Sequence, residues 1–236
     1  MKYENKNYLE IHPSVIGFLE EVQERSEGYD VYLGGGFIRD LYVKKFGESY
    51  GNDLIPKDVD IFIIPTDEDS NERHLHMPAK GYINFSKEAW RIPDMEERGV
   101  KKVTGTWYKH LDTADVQFIE YKKHMSVEEL TAGMDMTINQ CMYSITNEMF
   151  VFTDNFIKDH GMELIRCTHD YDVVRMYKRF VRMEDKFWWY TEVNKPELDY
   201  EDTQRLAHSV DHEGSFCDAD EFDSEIVNVS GRESWE

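Results

Sequence analysis

The sequence predicts an α+β domain in which helices and strands are packed around one core. Three observations lead to this fold class. A chain of 236 residues with 40% hydrophobic content can bury a sizeable core. Two segments carry apolar residues at the spacing of an amphipathic helix, and several short β-prone runs lie between polar or glycine-containing connections. No internal repeat or low-complexity tract interrupts this order.

The first predicted elements surround a run of three glycines. Residues 13–26 are predicted to form a helix, because Pro13 suits a helix start and apolar residues recur behind it at helical spacing. Residues 30–33 read as a short strand that ends at the glycines, and residues 38–45 read as a second helix. A glycine turn between a strand and a helix N-terminus presents backbone N–H groups that can bind phosphate.

The middle of the chain reads as further strands separated by connections. Residues 46–57 are predicted to be a loop, followed by a strand at 59–64. Residues 66–98 are polar with little periodicity, so no regular element is predicted there. Strands are expected to resume at 101–108 and 115–121.

The second half of the chain begins with a predicted helix at 126–132, where Ser126 and Glu129 have the spacing of a capping box. Residues 136–145 are apolar and fit either a helix or a strand. From Tyr171 onward an apolar stripe at intervals of three and four residues predicts a long amphipathic helix, with several Arg and Lys side chains on its other face.

The charge is unevenly distributed. The chain carries a formal net charge of -21, which argues against nonspecific binding to a phosphate backbone. Residues 191–236 hold 14 Asp and Glu against 3 Lys and Arg. With few aliphatic residues, this segment is predicted to be a flexible acidic tail or a segment that docks on a protein partner.

The sequence lacks the features of secreted and membrane-spanning proteins. The N-terminus lacks an apolar signal region, and no uncharged apolar run approaches the roughly 20 residues that span a bilayer. We therefore expect no membrane association and a cytoplasmic location.

The three cysteines have no zinc-binding spacing and their odd number argues against a disulfide framework, so buried free thiols are expected.

Two carboxylates mark the predicted strand at 59–64. Asp58 and Asp60 are two residues apart and therefore point to the same side of an extended chain. Such a pair is costly unless a cation neutralises it, and Mg²⁺ prefers carboxylate oxygens. Asp115, at the start of another predicted strand, is the expected third ligand. Taken alone, an Asp-x-Asp pair is more often structural, since such pairs are common at strand ends and in surface turns.

The order of these motifs resembles the class II tRNA nucleotidyltransferases, or CCA-adding enzymes, and the bacterial poly(A) polymerases of the polymerase β-like superfamily. Their Gly-Gly-x-Val-Arg-Asp run followed by Asp-x-Asp is similar to residues 35–40 and 58–60. Their ribose-recognition segment resembles residues 133–139, and their Glu-Asp-x-x-Arg base-reading motif resembles residues 171–175. The matching positions are Gly35, Gly36, Arg39, Asp40, Asp58, Asp60, Asp135, Asn139, Asp172 and Arg175, and Arg179 fits the helix that follows.

The chain departs from the family pattern at two places. Gly133 and Met134 stand where the family has two arginines, and Tyr171 stands where it has a glutamate. The first departure removes cations expected near phosphate or primer. The segment left after the predicted long helix is also too short for the family's tRNA-binding body and tail domains.

The resemblance implies a nucleotidyltransferase head with a mixed sheet and flanking helices at residues 1–165, a short helical neck at 166–190, and the acidic tail at 191–236. It further implies a template-independent nucleotidyltransferase that adds AMP or CMP from ATP or CTP to an RNA 3′ end by a two-metal mechanism with Mg²⁺, with tRNA as the first candidate. Asp58, Asp60 and Asp115 would hold metal, Gly35, Gly36 and Arg39 would approach the triphosphate, Asp135 and Asn139 would contact ribose, and Asp172, Arg175 and Arg179 would contact the base and its surroundings.

Two alternatives remain open. One is nucleotidyl transfer to a protein or small-molecule hydroxyl, which the missing tRNA-binding domains allow. The other is a non-catalytic nucleotide-binding regulatory protein, which the Gly133-Met134 departure allows. Arg39 is likewise open between a phosphate contact and a structural pair with Asp40.

Overall fold

The computed structural model describes residues 1–47, 49–56, 58–67, 82–88, 98–107, 116–168 and 172–210. The helices are α1 (Pro13–Arg25), α2 (Gly36–Phe46), α3 (Val127–Ala132), α4 (Asp154–Gly161), α5 (Val173–Lys186) and α6 (Tyr200–Val210). The strands are β1 (Lys2–Asn5), β2 (Tyr29–Gly34), β3 (Val59–Pro65), β4 (Tyr82–Glu88), β5 (Val100–Trp107), β6 (Val116–Tyr121), β7 (Cys141–Ser144), β8 (Met149–Phe152), β9 (Leu164–Arg166) and β10 (Thr191–Val193).

Eight strands form one mixed sheet in the order β1-β8-β7-β2-β3-β6-β5-β4. The only parallel pair in this described sheet is β3 with β6, in which Val59 faces Val116. β2 and β3 lie next to each other near the centre of the sheet and run antiparallel. β9 and β10 form a separate two-stranded parallel pair. This architecture confirms the predicted α+β class with a mixed sheet and flanking helices.

Helix α1 follows from its sequence as predicted. Pro13 occupies the first turn, and the Nδ1 atom of His12 accepts a hydrogen bond from the Ser14 N–H in the position of an N-cap. Phe18, Leu19 and Val22 are among its buried residues and pack in the main core. That core joins α1 and α2 to the central strands of the sheet, and its burial of apolar surface is the main stabilising contribution.

Helix α5 packs on a second apolar cluster. Its buried side chains Met176, Phe180 and Met183 meet Val43 of α2 and Ile138. This cluster attaches α5 to α2 on the side of the sheet's central strands that also carries the glycine run. The apolar stripe predicted from Tyr171 onward therefore forms the surface with which α5 packs against α2. The helix itself begins at Val173.

The structure differs from the sequence-based prediction at several places. Helices α4 and α6 and strands β8, β9 and β10 had no predicted counterpart. Strands β1 and β4 were not predicted, because they are the two edges of the sheet and edge strands need no continuous apolar face. Helix α2 begins at Gly36, two residues earlier than expected. The ambiguous segment 136–145 contains a 3₁₀ turn at Thr137–Asn139 and then strand β7, which has neighbours on both sides in the sheet.

The chain divides into two units, Met1–Glu197 and Leu198–Glu236. Within the second unit, the described residues include helix α6, whose first turn is capped by a hydrogen bond from the Asp202 N–H to the Asp199 carboxylate. Part of the segment predicted as an acidic tail is thus helical or, at β10, extended. Among the described residues no helix is both long enough and apolar enough to cross a membrane.

His160 connects α4 to the second cluster from a buried position. Its Nε2 atom lies 3.3 Å from the Ile138 carbonyl oxygen and its Nδ1 atom lies 2.8 Å from the Tyr190 hydroxyl oxygen. Because a carbonyl can only accept, Nε2 carries the proton in the neutral ring and Nδ1 accepts from the Tyr190 hydroxyl. Burial, with a smaller effect of the nearby Arg39 charge, lowers the pKa of His160 to about 3 from its ordinary value of 6.5.

This burial predicts an acid-dependent loss of stability. Between pH 6.5 and 3 the unfolded chain binds a proton at His160 that the folded chain does not bind, so the free energy of unfolding must fall as the pH falls. His160→Gln should remove this dependence. In urea unfolding between pH 7 and 5, the wild type should lose stability more steeply than the variant, by a difference that approaches about 1.4 kcal/mol per pH unit. Parallel pH profiles for the two proteins would contradict the assignment.

Candidate active site

The glycine run and the carboxylate pair meet across strands β2 and β3. The antiparallel register sets Gly34 opposite Asp60. Gly35, the next residue, has φ +62, and a Cβ atom built on it would lie 3.4 Å from the Asp60 Oδ2 atom. A side chain at residue 35 would therefore combine a backbone conformation that L-residues rarely adopt with close contact to a carboxylate. The two motifs that the sequence separates by a loop thus form one site.

The glycine turn rests on strand β7. A Cβ atom on Gly34 would lie 2.1 Å from the Met142 Sδ atom, so a side chain at residue 34 would require the Met142 side chain on β7 to move. The Gly35 N–H donates to the Cys141 carbonyl at 3.2 Å, and the Cys141 thiol lies 3.6 Å from the Gly35 carbonyl oxygen. Burial raises the pKa of this thiol far above its usual range, so Cys141 is a neutral packing group at neutral pH, as its apolar sequence context predicts.

Helix α2 starts directly at the turn. Gly35 is its N-cap residue, and the first intrahelical bond runs from the Arg39 N–H to the Gly35 carbonyl at 3.1 Å. The backbone N–H groups of the first turn, at residues 36–38, have no acceptor within an α-helix. Together with the positive end of the helix dipole, such groups favour a phosphate. This anion-binding end of α2 lies beside the strand that carries Asp60.

The carboxylates of the candidate metal site differ in exposure. Asp58 is exposed and Asp60 is partly buried. Asp115 lies outside the described residues, but it directly precedes Val116, which pairs with Val59 between the two aspartates. Within the part of the chain that the structure describes, no group of three or more His, Cys, Asp or Glu side chains is arranged to hold a metal ion. Two carboxylates at the mouth of an anion-binding turn are nevertheless the donor type that Mg²⁺ prefers.

Arg39 and Asp40 form a buried ion pair behind the turn. The Asp40 Oδ1 atom accepts from Arg39 Nε at 2.9 Å and lies 2.8 Å from Nη2. Arg39 Nη1 donates to the Asn139 Oδ1 atom at 2.8 Å. The other Asp40 oxygen accepts from Lys186 Nζ at 2.6 Å. Of the two roles that the sequence left open for Arg39, these contacts favour a structural one.

The residues matched to ribose and base recognition lie along α5 and the turn beneath it. Asp135 is buried, and its Oδ2 atom lies 2.5 Å from Arg179 Nη1 in the middle of α5. The carboxylate of Asp172 caps α5 by accepting from the Arg175 N–H at 2.9 Å. The structure thus pairs Asp135 with Arg179 and Asn139 with Arg39, and it sets Asp172 and Arg175 together at the first turn of α5.

The departure from the family pattern has a local structural explanation. Gly133 is the C-cap residue of α3, and Met134 is buried with an exposed fraction of 6%. The Arg98 Nη2 atom lies 3.5 Å from the Gly133 carbonyl oxygen. A cation from a distant part of the sequence therefore stands close to the turn that lacks its own arginines. Tyr171, the second departure, lies outside the described residues.

Sequence reasoning missed three residues that the structure adds to the surroundings of the site. These are Arg98, Lys186 and Phe187, whose ring lies 5.0 Å from the Arg39 Cζ atom. Each comes from a segment remote from the glycine run, and none belongs to a local motif. The basic face of α5 was a signal for Lys186, but its partner Asp40 is 146 residues away along the chain.

Comparisons with known proteins give two different results. A family model described as "Gad2: Gabija anti-defense 2 family protein" matches residues 10–161. No curated protein matches the sequence significantly. The matched range contains the glycine turn, the carboxylate strand and the segment with Asp135 and Asn139, and it ends before α5.

The fold is similar to that of solved CCA-adding enzymes. The Thermotoga maritima CCA-adding enzyme complexed with tRNA aligns with a TM-score of 0.52 and 17% identity over 87% of this chain and 45% of that chain. A CCA-adding enzyme in complex with ATP aligns with a TM-score of 0.54 and 16% identity over 89% and 46%. A complex with CTP gives a TM-score of 0.53 and 15% identity over 89% and 45%.

These similarities refine the resemblance drawn from the sequence. The nucleotidyltransferase fold is confirmed, since the mixed sheet with flanking helices aligns with CCA-adding enzymes. The matching family, however, is not a tRNA nucleotidyltransferase family. The chain spans less than half the length of the enzymes with which it aligns.

The geometry of the turn predicts the effect of an alanine at residue 35. Gly35→Ala should destabilise the fold by about 1–3 kcal/mol, because a non-glycine residue is strained at this φ. Gly17→Ala is the matched control: its Cβ would meet nothing within 4 Å inside α1, so it should stabilise by roughly 0.5–1 kcal/mol. Urea unfolding of both variants measures the two effects. An unchanged stability of Gly35→Ala would contradict the strained conformation.

Proposed function

The chain belongs to the Gabija anti-defense 2 family, and we propose that it is a template-independent, metal-dependent nucleotidyltransferase that transfers AMP or CMP from ATP or CTP to an acceptor hydroxyl. The first acceptor that we propose is an RNA 3′ end, with tRNA the leading candidate. Residues 1–165 would act as the nucleotidyltransferase head, and residues 166–190 as a short helical neck.

One observation carries this proposal: the phosphate-binding turn and the carboxylate strand are held against each other. Gly34 is paired with Asp60, and Gly35 leaves only 3.4 Å between its absent Cβ and the Asp60 carboxylate. A triphosphate bound at the first turn of α2 would have its phosphates beside Asp58 and Asp60. Two anionic groups in such proximity call for a divalent cation between them.

Asp58, Asp60 and Asp115 would hold Mg²⁺ in this proposal. Bound there, the metal would lower the pKa of the attacking hydroxyl and neutralise charge on the triphosphate. The fit rests on the donor type of Asp58 and Asp60 and on the position of Asp115 next to Val116, the partner of Val59 in β6. A side-chain general base is not required, and the buried, neutral Cys141 is not a candidate nucleophile.

The proposed reaction is an in-line displacement at the α-phosphorus of the nucleotide. The acceptor oxygen forms a bond to the α-phosphorus and releases its proton to solvent, while the bond to the bridging oxygen breaks and pyrophosphate leaves with the electron pair. The first-turn N–H groups of α2 would hold the phosphate oxygens during this step. Strand β3 would keep the carboxylates aligned, because its flanking residues Val59 and Ile61 are fully buried.

Recognition of the nucleoside would fall to the turn beneath α5 and to its first turn. Asp135 and Asn139 are proposed to contact ribose, and Asp172 and Arg175 to read the base. Asp135 is held by Arg179, and Asn139 by Arg39. A ribose hydroxyl would therefore bind Asp135 and Asn139 while these side chains keep their contacts with the two arginines. Arg179 would act on the substrate indirectly, by holding Asp135.

For the acceptor hydroxyl there is a second specific candidate besides an RNA 3′ end. The chain aligns with less than half of the length of the CCA-adding enzymes, and the alignment leaves their remaining segments uncovered. The family description names an action against a defense called Gabija. A hydroxyl on a protein of that defense is therefore the second candidate acceptor, and the acidic segment at 191–236 is proposed as a docking segment for a protein partner.

Incubation with Mg²⁺ and each of the four α-labelled nucleoside triphosphates tests the function. Acceptors are total RNA that includes tRNAs lacking their 3′ ends, and separately protein extract with and without the Gabija proteins. We expect label on RNA from ATP or CTP. Label on a Gabija protein would replace RNA by the second candidate, whereas nucleotide binding without any label would overturn the enzymatic proposal in favour of a regulatory nucleotide-binding protein.

In the same assay, Asp58→Asn and Asp60→Asn should each lower the labelling rate by at least about a hundredfold, the size of effect expected when a group that stabilises developing charge is lost. Asp185→Asn, an exposed position on α5, is the control and should keep the wild-type rate. Unfolding curves verify that the variants fold. Full activity in either Asp58→Asn or Asp60→Asn would refute the metal assignment.

Arg175→Ala tests base reading separately. The variant should blur the preference between ATP and CTP more than it slows the overall rate, because the guanidinium would lie near the base and not near the carboxylates. Arg182→Ala is the control on the same helix. An Arg175→Ala protein with the wild-type ratio of ATP to CTP incorporation would refute the role.

A further inference from the structure

Lys186, the last residue of α5, lies outside every motif that the proposed function uses, but it makes an ion pair with Asp40, the last residue of the glycine motif. Its Nζ atom lies 2.6 Å from the Asp40 Oδ2 atom, and the Asp40 side chain is almost completely buried, with 2% exposure. The other Asp40 oxygen is occupied by Arg39. Asp40 therefore links the end of α5 to the arginine behind the glycine turn.

Arg39 lies close to the glycine turn. Its backbone N–H donates to the Gly35 carbonyl at 3.1 Å, and a Cβ atom on Gly36 would lie 3.3 Å from its Nη2 atom. Its Nη1 atom reaches Asn139 in the 3₁₀ turn. The Met183 Sδ atom, one turn before Lys186 on α5, lies 3.2 Å from Nη1. Arg39 is thus enclosed by α2, the 3₁₀ turn and the last turn of α5, and its position depends on all three.

We propose that Lys186 is a positioning residue for the nucleotide site: through Asp40 it fixes Arg39 behind the glycine turn. Lys186 itself does not touch the nucleotide. Its effect on nucleotide affinity rests on the proposed function, whereas its effect on the order of the turn does not. Loss of Lys186 would allow Asp40 and Arg39 to reorient.

The chain offers a matched control for Lys186. Lys195 Nζ lies 2.6 Å from the Glu184 carboxylate on the same helix, with a side-chain exposure of 24% compared with 25% for Lys186. Both lysines make an ion pair of equal length that involves the last turns of α5. Only the Lys186 pair reaches α2. Lys195→Met therefore reproduces the loss of a partly buried ion pair without a direct effect on the turn.

Hydrogen exchange of the full chain, read at the backbone amides of residues 34–40, tests the inference. After correction for each variant's global stability from urea unfolding, Lys186→Met should speed exchange in this segment by about tenfold, equivalent to the loss of one moderately strong interaction. Lys186→Arg should restore most of the protection, since it keeps the charge. Lys195→Met should leave the segment unchanged. Wild-type exchange in Lys186→Met, or equal acceleration in Lys195→Met, would overturn the inference.

A titration with ATP and Mg²⁺ separates this inference from the proposed function. If the wild type binds ATP, Lys186→Met should bind at least about fivefold more weakly, and Lys195→Met as the wild type does. Unchanged affinity in Lys186→Met would overturn the role in nucleotide binding. A wild type that neither binds ATP nor transfers label would refute the proposed function, and the exchange experiment would still decide whether Lys186 orders the turn.

Discussion

The buried guanidinium of Arg39 is the interaction on which the candidate site depends. Moving a charge out of water costs several kcal/mol unless it is paired and hydrogen-bonded. Here Asp40 takes two of the guanidinium nitrogens, Asn139 takes a third bond, and the Phe187 ring covers the group. Because these partners come from three separate segments, the guanidinium can be satisfied only when α2, the 3₁₀ turn and the end of α5 are assembled. The site and the fold are therefore stabilised together.

A second constraint is the register of β2 with β3. Side chains alternate between the faces of a sheet, so a shift of one residue would turn Asp60 from the glycine turn into the core and expose Ile61. The observed register buries Ile61 and Ile63 completely and sets Gly34 opposite Asp60. Burial of the apolar face thus fixes the position of the carboxylates. The close seating of Gly34 on Met142 ties the same turn to β7.

The fold alignment and the family match cover different lengths of the chain. The fold aligns with CCA-adding enzymes at 15–17% identity, which establishes the architecture. The family match covers strands β2–β8 and the glycine turn and stops before α5. The segment that would read the base and that carries Lys186 thus lies outside the family match. If α5 and the glycine turn are coupled through Asp40, nucleotide choice and phosphate binding are properties of one assembled unit.

The sequence by itself determined the local elements and their chemistry. The spacing of apolar residues predicted α1, β3 and the apolar stripe of α5. The separation of Asp58 and Asp60 by two positions predicted that their side chains point to the same side of an extended chain. Glycines before a helix predicted an anion-binding turn. Only the tertiary structure decided which residues are neighbours: Asn139 is 100 positions from Arg39, and Lys186 is 146 positions from Asp40. Edge strands β1 and β4 were also not predictable, because their pairing is specified by the neighbouring strand. The spacing of apolar residues within a segment indicates which of its side chains are buried. A contact between two distant segments depends on how all the helices and strands pack together.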